Sequence, residues 1–355
     1  MNKSCFCSRV LLPVVRVIFI LQLALSYPRT ETIARREVVW EPPPLKAAGI
    51  VFLFHGCQHS AGDFWEAGPG CPNCLGLPEE RAIVASAHEN GYVAVAISSW
   101  DRLHSRCWRP QDVQPSLVVV DTMRKRLGLD RTPVFALGAS SGGGFTGMLA
   151  SRAPSGTFTA VSSQIMPVSD HFFARGGAPS DTALELVSMP RDFMTEQYVQ
   201  SNVATATSLG LKVSARHCLP LPVTPTLFSD RARTYPGDAA DHASSFSRIS
   251  PAASVEIAAV LEAEGFLDTR TKELLEDPRQ SEWRDILATK GSSLIRNLPM
   301  EPDASALSEI MNVAWAQHEF CATEIQKTFD FFRAATTDVA TNDVSNAVEA
   351  GHASK

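Results

Sequence analysis

Residues 133–144 read Pro-Val-Phe-Ala-Leu-Gly-Ala-Ser-Ser-Gly-Gly-Gly (PVFALGASSGGG), and this stretch decides the fold. Its first half is a short apolar run of the kind that forms a strand buried on both faces. Its second half, Gly138 to Gly142, is a G-x-S-x-G pattern that runs straight into further glycines. The pattern alone is common, but its context is not. A strand leading directly into a tight turn, with small residues opening the next helix, lets helix and strand approach closely and lifts one side chain clear of the backbone. That side chain is Ser140. The same turn aims the first N–H groups of the helix at the serine, where the helix dipole favours a developing negative charge. A glycine-rich turn can also cradle a phosphate, yet no P-loop lysine follows and no dinucleotide glycine pattern with an acidic residue behind it is present.

Outward from this turn, apolar runs alternate with amphipathic stretches between Gly49 and Pro220, as parallel βαβ units do. Ile50 to Phe54, Tyr92 to Ser98, Pro133 to Gly138, Phe158 to Met166, Leu184 to Met189 and Leu211 to Ala215 are the expected strands. Helices are expected from Pro78 toward Gly91, over Asp112 to Leu127, over 142–152 and over 193–208. After Pro222 the pattern becomes helical, with no convincing strand between 250 and 316. This part reads as a helical insertion over about 222–316, following the last strand. A final amphipathic helix is expected over Glu319 to Phe332, with Ile325, Phe329 and Phe332 on one face, and then a frayed polar tail over 336–355.

The runs IVFLFHGCQHSAGDF (50–64) and LGASSGG (137–143) resemble the α/β-hydrolase superfamily, and within it an uncharacterised plant and algal branch. The HGC element is also similar to that of polyhydroxybutyrate-depolymerase-like esterases. The resemblance implies an α/β-hydrolase fold: a mainly parallel central sheet, helices on both faces, and here a helical insertion after the last strand. It implies a serine hydrolase, with ester cleavage through an acyl-enzyme intermediate as the default chemistry and a small-molecule acyl compound as substrate. In the superfamily the oxyanion is held by backbone N–H groups of the residue after the His-Gly pair and the residue after the nucleophile. Carried over, these are Cys57 and Ser141, with Gln58 as a fallback. The resemblance brings no cofactor and no metal.

The superfamily order of serine, acid and histidine selects the remaining candidates. Asp192 follows the strand Leu184 to Met189 and is the expected acid, although an aspartate in front of a helix is also a natural N-cap. Asp230 and Asp238 are the alternatives. For the base, His318 in AWAQHEF lies just before the last amphipathic helix, where the superfamily places its histidine. His217, right after the last strand, is the alternative base. With His318 as base, the insertion lies between last strand and histidine and is positioned to act as a lid. His55, His59 and Asp63 form a weak metal-like spacing on a loop.

Composition bounds the rest. A formal net charge of −6 and the lack of a basic cluster argue against nucleic acid as a partner. Lys3, Arg9 and Arg16, the run Val17 to Leu25, and Ala24-Leu25-Ser26 read as a secretory signal peptide over 1–26. The apolar run is too short to span a bilayer, so no stable membrane span is expected. A signal anchor and an organelle transit peptide are the alternatives to secretion. Removing the leader takes Cys5 and Cys7 and leaves six cysteines, a number suited to disulfides in an oxidising compartment. Cys71-Pro72-Asn73-Cys74 also has the spacing of half a zinc or redox site, for which Cys57 and Cys107 are the remaining ligands. A non-catalytic ligand-binding protein on the same fold is the competing functional class. Oligomeric state and substrate identity are not encoded in any of these features.

Overall fold

A computed structural model describes residues 27–42, 46–175, 178–179, 181–233, 235 and 248–337. The expected leader and Asp238 lie outside the described residues. One sheet of eight strands organises the chain: β1 (Arg29–Ile33), β2 (Arg36–Glu41), β3 (Gly49–Phe54), β4 (Tyr92–Ile97), β5 (Val134–Ala139), β6 (Ala160–Gln164), β7 (Ala183–Ser188) and β8 (Val213–His217). Their order across the sheet is β1-β2-β4-β3-β5-β6-β7-β8. The β1–β2 and β2–β4 pairs are antiparallel, and all other neighbours run parallel. This order, with the serine turn at the carboxyl end of β5, is an α/β-hydrolase fold. A small antiparallel ribbon, Ala174–Arg175 with Ala178–Pro179, stands apart from the sheet.

The period of two along each strand sorts the core into two layers. Val51, Leu53, Ala94, Ala96, Phe135 and Leu137 point to one face, where α1 (Pro78–Glu89) and a last helix, α10 (residues 325–337), cover them. Phe332 of α10 stacks on Phe135 with ring centroids 4.5 Å apart. Ile50, Phe52, Phe54, Val93, Val95 and Ala136 point to the other face, against α2 (Val113–Leu127), α3 (Ser141–Arg152) and α4 (Phe193–Ser208). Every residue of β3, β4 and β5 is buried, which is why these strands read as unbroken apolar runs.

The stretch after β8 builds its own small core from α5 (Leu227–Arg231), α6 (Pro251–Ala263), α7 (Trp283–Lys290), α8 (Ser293–Arg296) and α9 (Ala306–Trp315). Phe228, Ile257, Leu261, Trp283, Leu287, Ile295 and Ile310 fill it, separate from both layers on the sheet. The six described cysteines pair at bonding distance as Cys57–Cys107, Cys71–Cys74 and Cys218–Cys321. The last pair joins the two ends of the insertion.

Two expectations need correction. The β1–β2 hairpin is absent from the sequence reading because its turn, Ala34-Arg35, takes positive φ at both residues (49° and 60°) without the glycine or asparagine that usually marks such a turn. The last helix begins at residue 325 rather than 319 and runs through 337. Residues 319–324 are instead drawn into a loop by side-chain hydrogen bonds: Gln164 binds both backbone groups of Cys321, and Glu79 accepts from Ala322 N–H.

The insertion meets the sheet domain where α9 packs on α1, and two carboxyl groups, Glu80 and Glu309, are buried at this contact. Burial pushes both upward from the ordinary glutamate value. In Glu80 a hydrogen bond with Glu309 works against that rise, while the charges of Asp63 and Glu319 add to it. The folded pair therefore keeps a proton that the unfolded chain releases above its ordinary value of 4.5. Its contribution to stability is full below that pH and declines as pH rises through the raised value. Glu80→Gln, which supplies a permanent neutral donor, should flatten the pH dependence and raise the melting temperature at about pH 8 by about 2–4 °C. Thermal unfolding of both proteins at about pH 5 and about pH 8 checks this.

Candidate active site

Strand register brings the candidate residues to one edge of the sheet. Phe54 pairs with Gly138, so the His55-Gly56-Cys57 turn leaves β3 beside the Ala139-Ser140 turn leaving β5. A Cβ at Gly56 would lie 3.8 Å from that of Ser140. Ala139 pairs with Gln164, and Gln164 with Val187, which brings the ends of β6 and β7 into the same row. Ligand sites in parallel sheets lie at this carboxyl edge, outside a point where the strand order reverses.

Ser140 sits at φ +54°, ψ −124°, a conformation that non-glycine residues rarely adopt. Its N–H is held by the Gln164 carbonyl at 2.9 Å, and its own carbonyl accepts from Gly144 N–H. Behind it, α3 passes so near β3 that a Cβ at Gly142 would fall 2.2 Å from the Phe54 carbonyl oxygen and 2.4 Å from that of His55. Only glycine permits that approach, and the approach holds the serine turn in its strained form.

Ser140 Oγ lies 2.8 Å from His318 Nε2, and His318 Nδ1 lies 2.6 Å from Asp192 Oδ2. Asp192 serves two partners at once. Its Oδ1 accepts from Thr195 N–H at 3.4 Å and caps α4, while Oδ2 faces the imidazole. The N-cap and the expected acid are thus the same residue, with one carboxylate oxygen for each contact. Burial raises the Asp192 carboxyl, but hydrogen bonds from His318 and Thr195 outweigh it and hold the group below its ordinary range. His318 itself takes φ +48°, a left-handed conformation that costs a non-glycine residue about 1–2 kcal/mol.

His217 ends β8 and pairs with Glu196 Oε1 at 3.2 Å instead of approaching Ser140. Asp230 lies in α5 within the insertion. Ser140 is half-buried and His318 is 41 % exposed, so among the described residues the insertion stands beside the pair rather than sealing it. The described part of the insertion contacts the loop that carries His318, through Arg279 and the Gln317 and His318 carbonyls.

At the expected oxyanion position, Ser141 is the first residue of α3 and Cys57 follows the His-Gly turn. Gln58 N–H is committed to the Ser105 carbonyl at 2.8 Å, which removes the fallback donor. The turn is braced from the side by Cys107, bonded to Cys57, and by Trp108, which donates from Nε1 to the His55 carbonyl at 2.9 Å and stacks on Phe145. His55 is a structural member of this brace. Nδ1 contacts the Gly56 carbonyl and Nε2 accepts from Ser99 N–H, and burial drives its pKa down to about 3.

The metal-like pair has another use as well. His59 Nδ1 lies 3.0 Å from Asp63 Oδ2. Burial disfavours its charge, but Asp63, through hydrogen bond and charge, outweighs that and raises His59 to about 9. Cys71 and Cys74 are joined to each other. Among the described residues no three His, Cys, Asp or Glu side chains converge on a metal position.

Three contributors escaped sequence reading. Gln164 ends a strand with no motif around it, Trp108 lies in an irregular loop, and Arg279 belongs to the insertion. Arg279 donates to the carbonyls of Gln317 (2.8 Å) and His318 (2.9 Å). Each acts through contacts between distant segments, so periodicity and spacing carry no trace of them.

No family model matches the chain, and no curated protein matches it. Among solved structures, it is similar to a carboxyl esterase of the fungus Tuber melanosporum (12% identity, TM-score 0.38, covering 55% of this chain and 77% of that one). It is likewise similar to esterase B of Lactobacillus rhamnosis (12%, 0.39, 59% and 82%). An acylaminoacyl peptidase of Pyrococcus horikoshii matches over 56% of this chain and 38% of its own, at 14% identity and TM-score 0.39. The fold assignment rests on the strand order, the crossovers and the Ser140 turn.

The glycine constraint is directly testable. Gly142→Ala should destabilise the protein by about 2 kcal/mol or more through overpacking against backbone. Gly144→Ala meets the flexible Met166 side chain at 3.1 Å and the Pro167 carbonyl oxygen at an ordinary contact distance of 3.5 Å, and should stay within about 1 kcal/mol of wild type. Denaturant unfolding of the two variants gives the comparison, and equal losses would contradict the close-approach account.

Proposed function

We propose that the protein is a serine hydrolase that cleaves carboxylic esters of small acyl compounds through a Ser140–His318–Asp192 triad. The observation that carries this reading is the continuous chain of contacts Ser140 Oγ to His318 Nε2 (2.8 Å) and His318 Nδ1 to Asp192 Oδ2 (2.6 Å), which starts from a serine in the strained elbow conformation. Nucleophile, base and orienting acid come from three distant segments, and a purely structural serine has no need of that order.

In the proposed mechanism Ser140 Oγ attacks the carbonyl carbon while His318 Nε2 takes its proton. The tetrahedral oxyanion is met by the backbone N–H groups of Cys57 and Ser141, each worth about 3 kcal/mol in comparable sites. His318 then protonates the leaving alcohol, leaving an acyl group on Ser140. Water, deprotonated by the same imidazole, releases the acid and restores the hydroxyl. Asp192, held ionised, keeps the proton on Nδ1 so that Nε2 is free to accept, and it stabilises the imidazolium that forms. None of these steps requires a cofactor.

We further propose a secretory or extracellular location. The charged, apolar and small-residue segments of 1–26 and the three cysteine pairs support it. Among the described residues no helix is long and apolar enough to cross a membrane.

Hydrolysis of a short-chain acyl ester by purified protein tests the reading. Ser140→Ala and His318→Ala should lower kcat/KM by about 10⁴-fold or more, and Asp192→Asn by about 10⁴-fold. His217→Ala should remain within about twofold of wild type, because its imidazole engages Glu196. Full activity in His318→Ala would remove His318 as the base.

A further inference from the structure

The loop that presents His318 is held from both sides. Upstream, Arg191 donates from Nη1 to the Trp315 carbonyl at 3.1 Å and from its backbone N–H to the Ala316 carbonyl at 3.3 Å. Downstream, Gln164 binds the N–H and carbonyl of Cys321, and Cys321 is bonded to Cys218. Between these anchors lie the peptide groups of Gln317 and His318, next to a residue in left-handed conformation. Among the described residues, no donor other than Arg279 reaches their carbonyls.

Arg279 bonds the Gln317 carbonyl through Nη1 (2.8 Å) and the His318 carbonyl through Nη2 (2.9 Å), and the same Nη2 lies 3.4 Å from Glu319 Oε2. Glu319 is buried and is fixed in turn by Asn312 Nδ2 (2.9 Å) and by Phe320 N–H (3.0 Å). The guanidinium is carried on a stiff turn of the insertion. The Asp277 side chain accepts from Arg279 N–H at 2.9 Å, the Asp277 carbonyl accepts from the N–H groups of Gln280 and Ser281, and the Pro278 carbonyl accepts from Nε1 of the fully buried Trp283.

We propose that Arg279 is a positioning residue for the catalytic base: its planar fork holds two successive carbonyls and thereby keeps His318 in the left-handed conformation from which the imidazole reaches both Ser140 and Asp192. The insertion is then part of the catalytic apparatus through this side chain. A guanidinium suits the task because it presents two parallel donors in one rigid plane, whereas a lysine ammonium binds as a single flexible point. This inference rests on the serine-hydrolase reading for its kinetic consequence, but not for its geometric one.

Arg279→Ala, Arg279→Lys and wild type separate the two. The side chain is one-third exposed, so its removal should leave the melting temperature close to wild type. The geometric readout is the strongly deshielded proton NMR signal of His318 Nδ1 bonded to Asp192, identified by its loss in His318→Ala. It should be sharp in wild type and broadened or lost in Arg279→Ala. The kinetic readout is kcat on a short acyl ester, expected to fall about 10- to 100-fold with KM unchanged. Guanidinium chloride at low, non-denaturing concentration should restore part of it, and Arg279→Lys should recover less than full activity. An Arg279→Ala protein that keeps the deshielded signal and a kcat within twofold of wild type overturns the proposal. If wild type shows no Ser140-dependent turnover, the hydrolase reading fails, and the NMR signal alone still decides whether Arg279 positions His318.

Discussion

At Gly142 the first turn of α3 lies against the carbonyl oxygens that end β3, at a distance where a side chain would meet backbone 2.2 Å away. That contact sets the path of the chain between β5 and α3 and forces Ser140 into a positive-φ turn. The turn in turn exposes the hydroxyl, directs the N-terminal amides of α3 toward it, and brings the His55-Gly56-Cys57 turn alongside. A modest loosening of this packing would move all three together. The fully buried strands β3, β4 and β5, with aromatic layers on both faces, supply the rigidity that keeps the strained turn in place.

The second dependency is the loop that carries His318. A histidine with φ +48° needs support from outside its own segment, and the support comes from Arg191 after β7, from Gln164 at the end of β6 and from Arg279 in the insertion. Gln164 has a place in both halves of the site: its carbonyl holds the Ser140 N–H and its amide holds Cys321. The Ser140 turn and the His318 loop are therefore referenced to one residue at the sheet edge. The described part of the insertion has a hydrophobic core of its own and stands beside the pair, and among the described residues the His318 side chain is partly open to solvent.

How much of this was legible in the sequence follows from which contacts are local. The βα alternation, the elbow and the helix Phe193–Ser208 depend on short-range periodicity and turn chemistry, and each could be read directly. Asp192 was legible both as the expected acid and as a helix cap, and the cap contact with Thr195 N–H is present. The β1–β2 hairpin was hidden by a turn built from Ala34 and Arg35, and the start of the last helix by side chains from Glu79 and Gln164 that bind residues 321 and 322. His217 and His318 were both plausible neighbours of Ser140 by order along the chain. Only the tertiary arrangement separates them, pairing one with Glu196 and the other with Ser140 and Asp192. Arg279 left no signal, because a lone arginine in a helical insertion looks the same whether it faces solvent or a carbonyl.

The claim at the centre of this account is that Ser140 is a nucleophile activated by His318, and covalent trapping addresses it most directly. Purified protein treated with a fluorophosphonate and mapped by peptide mass spectrometry should carry one phosphonyl group, on Ser140, formed at least about 100-fold more slowly in His318→Ala and at the wild-type rate in His217→Ala. A folded wild-type protein that takes up no label, or that carries it on another residue, would contradict the account.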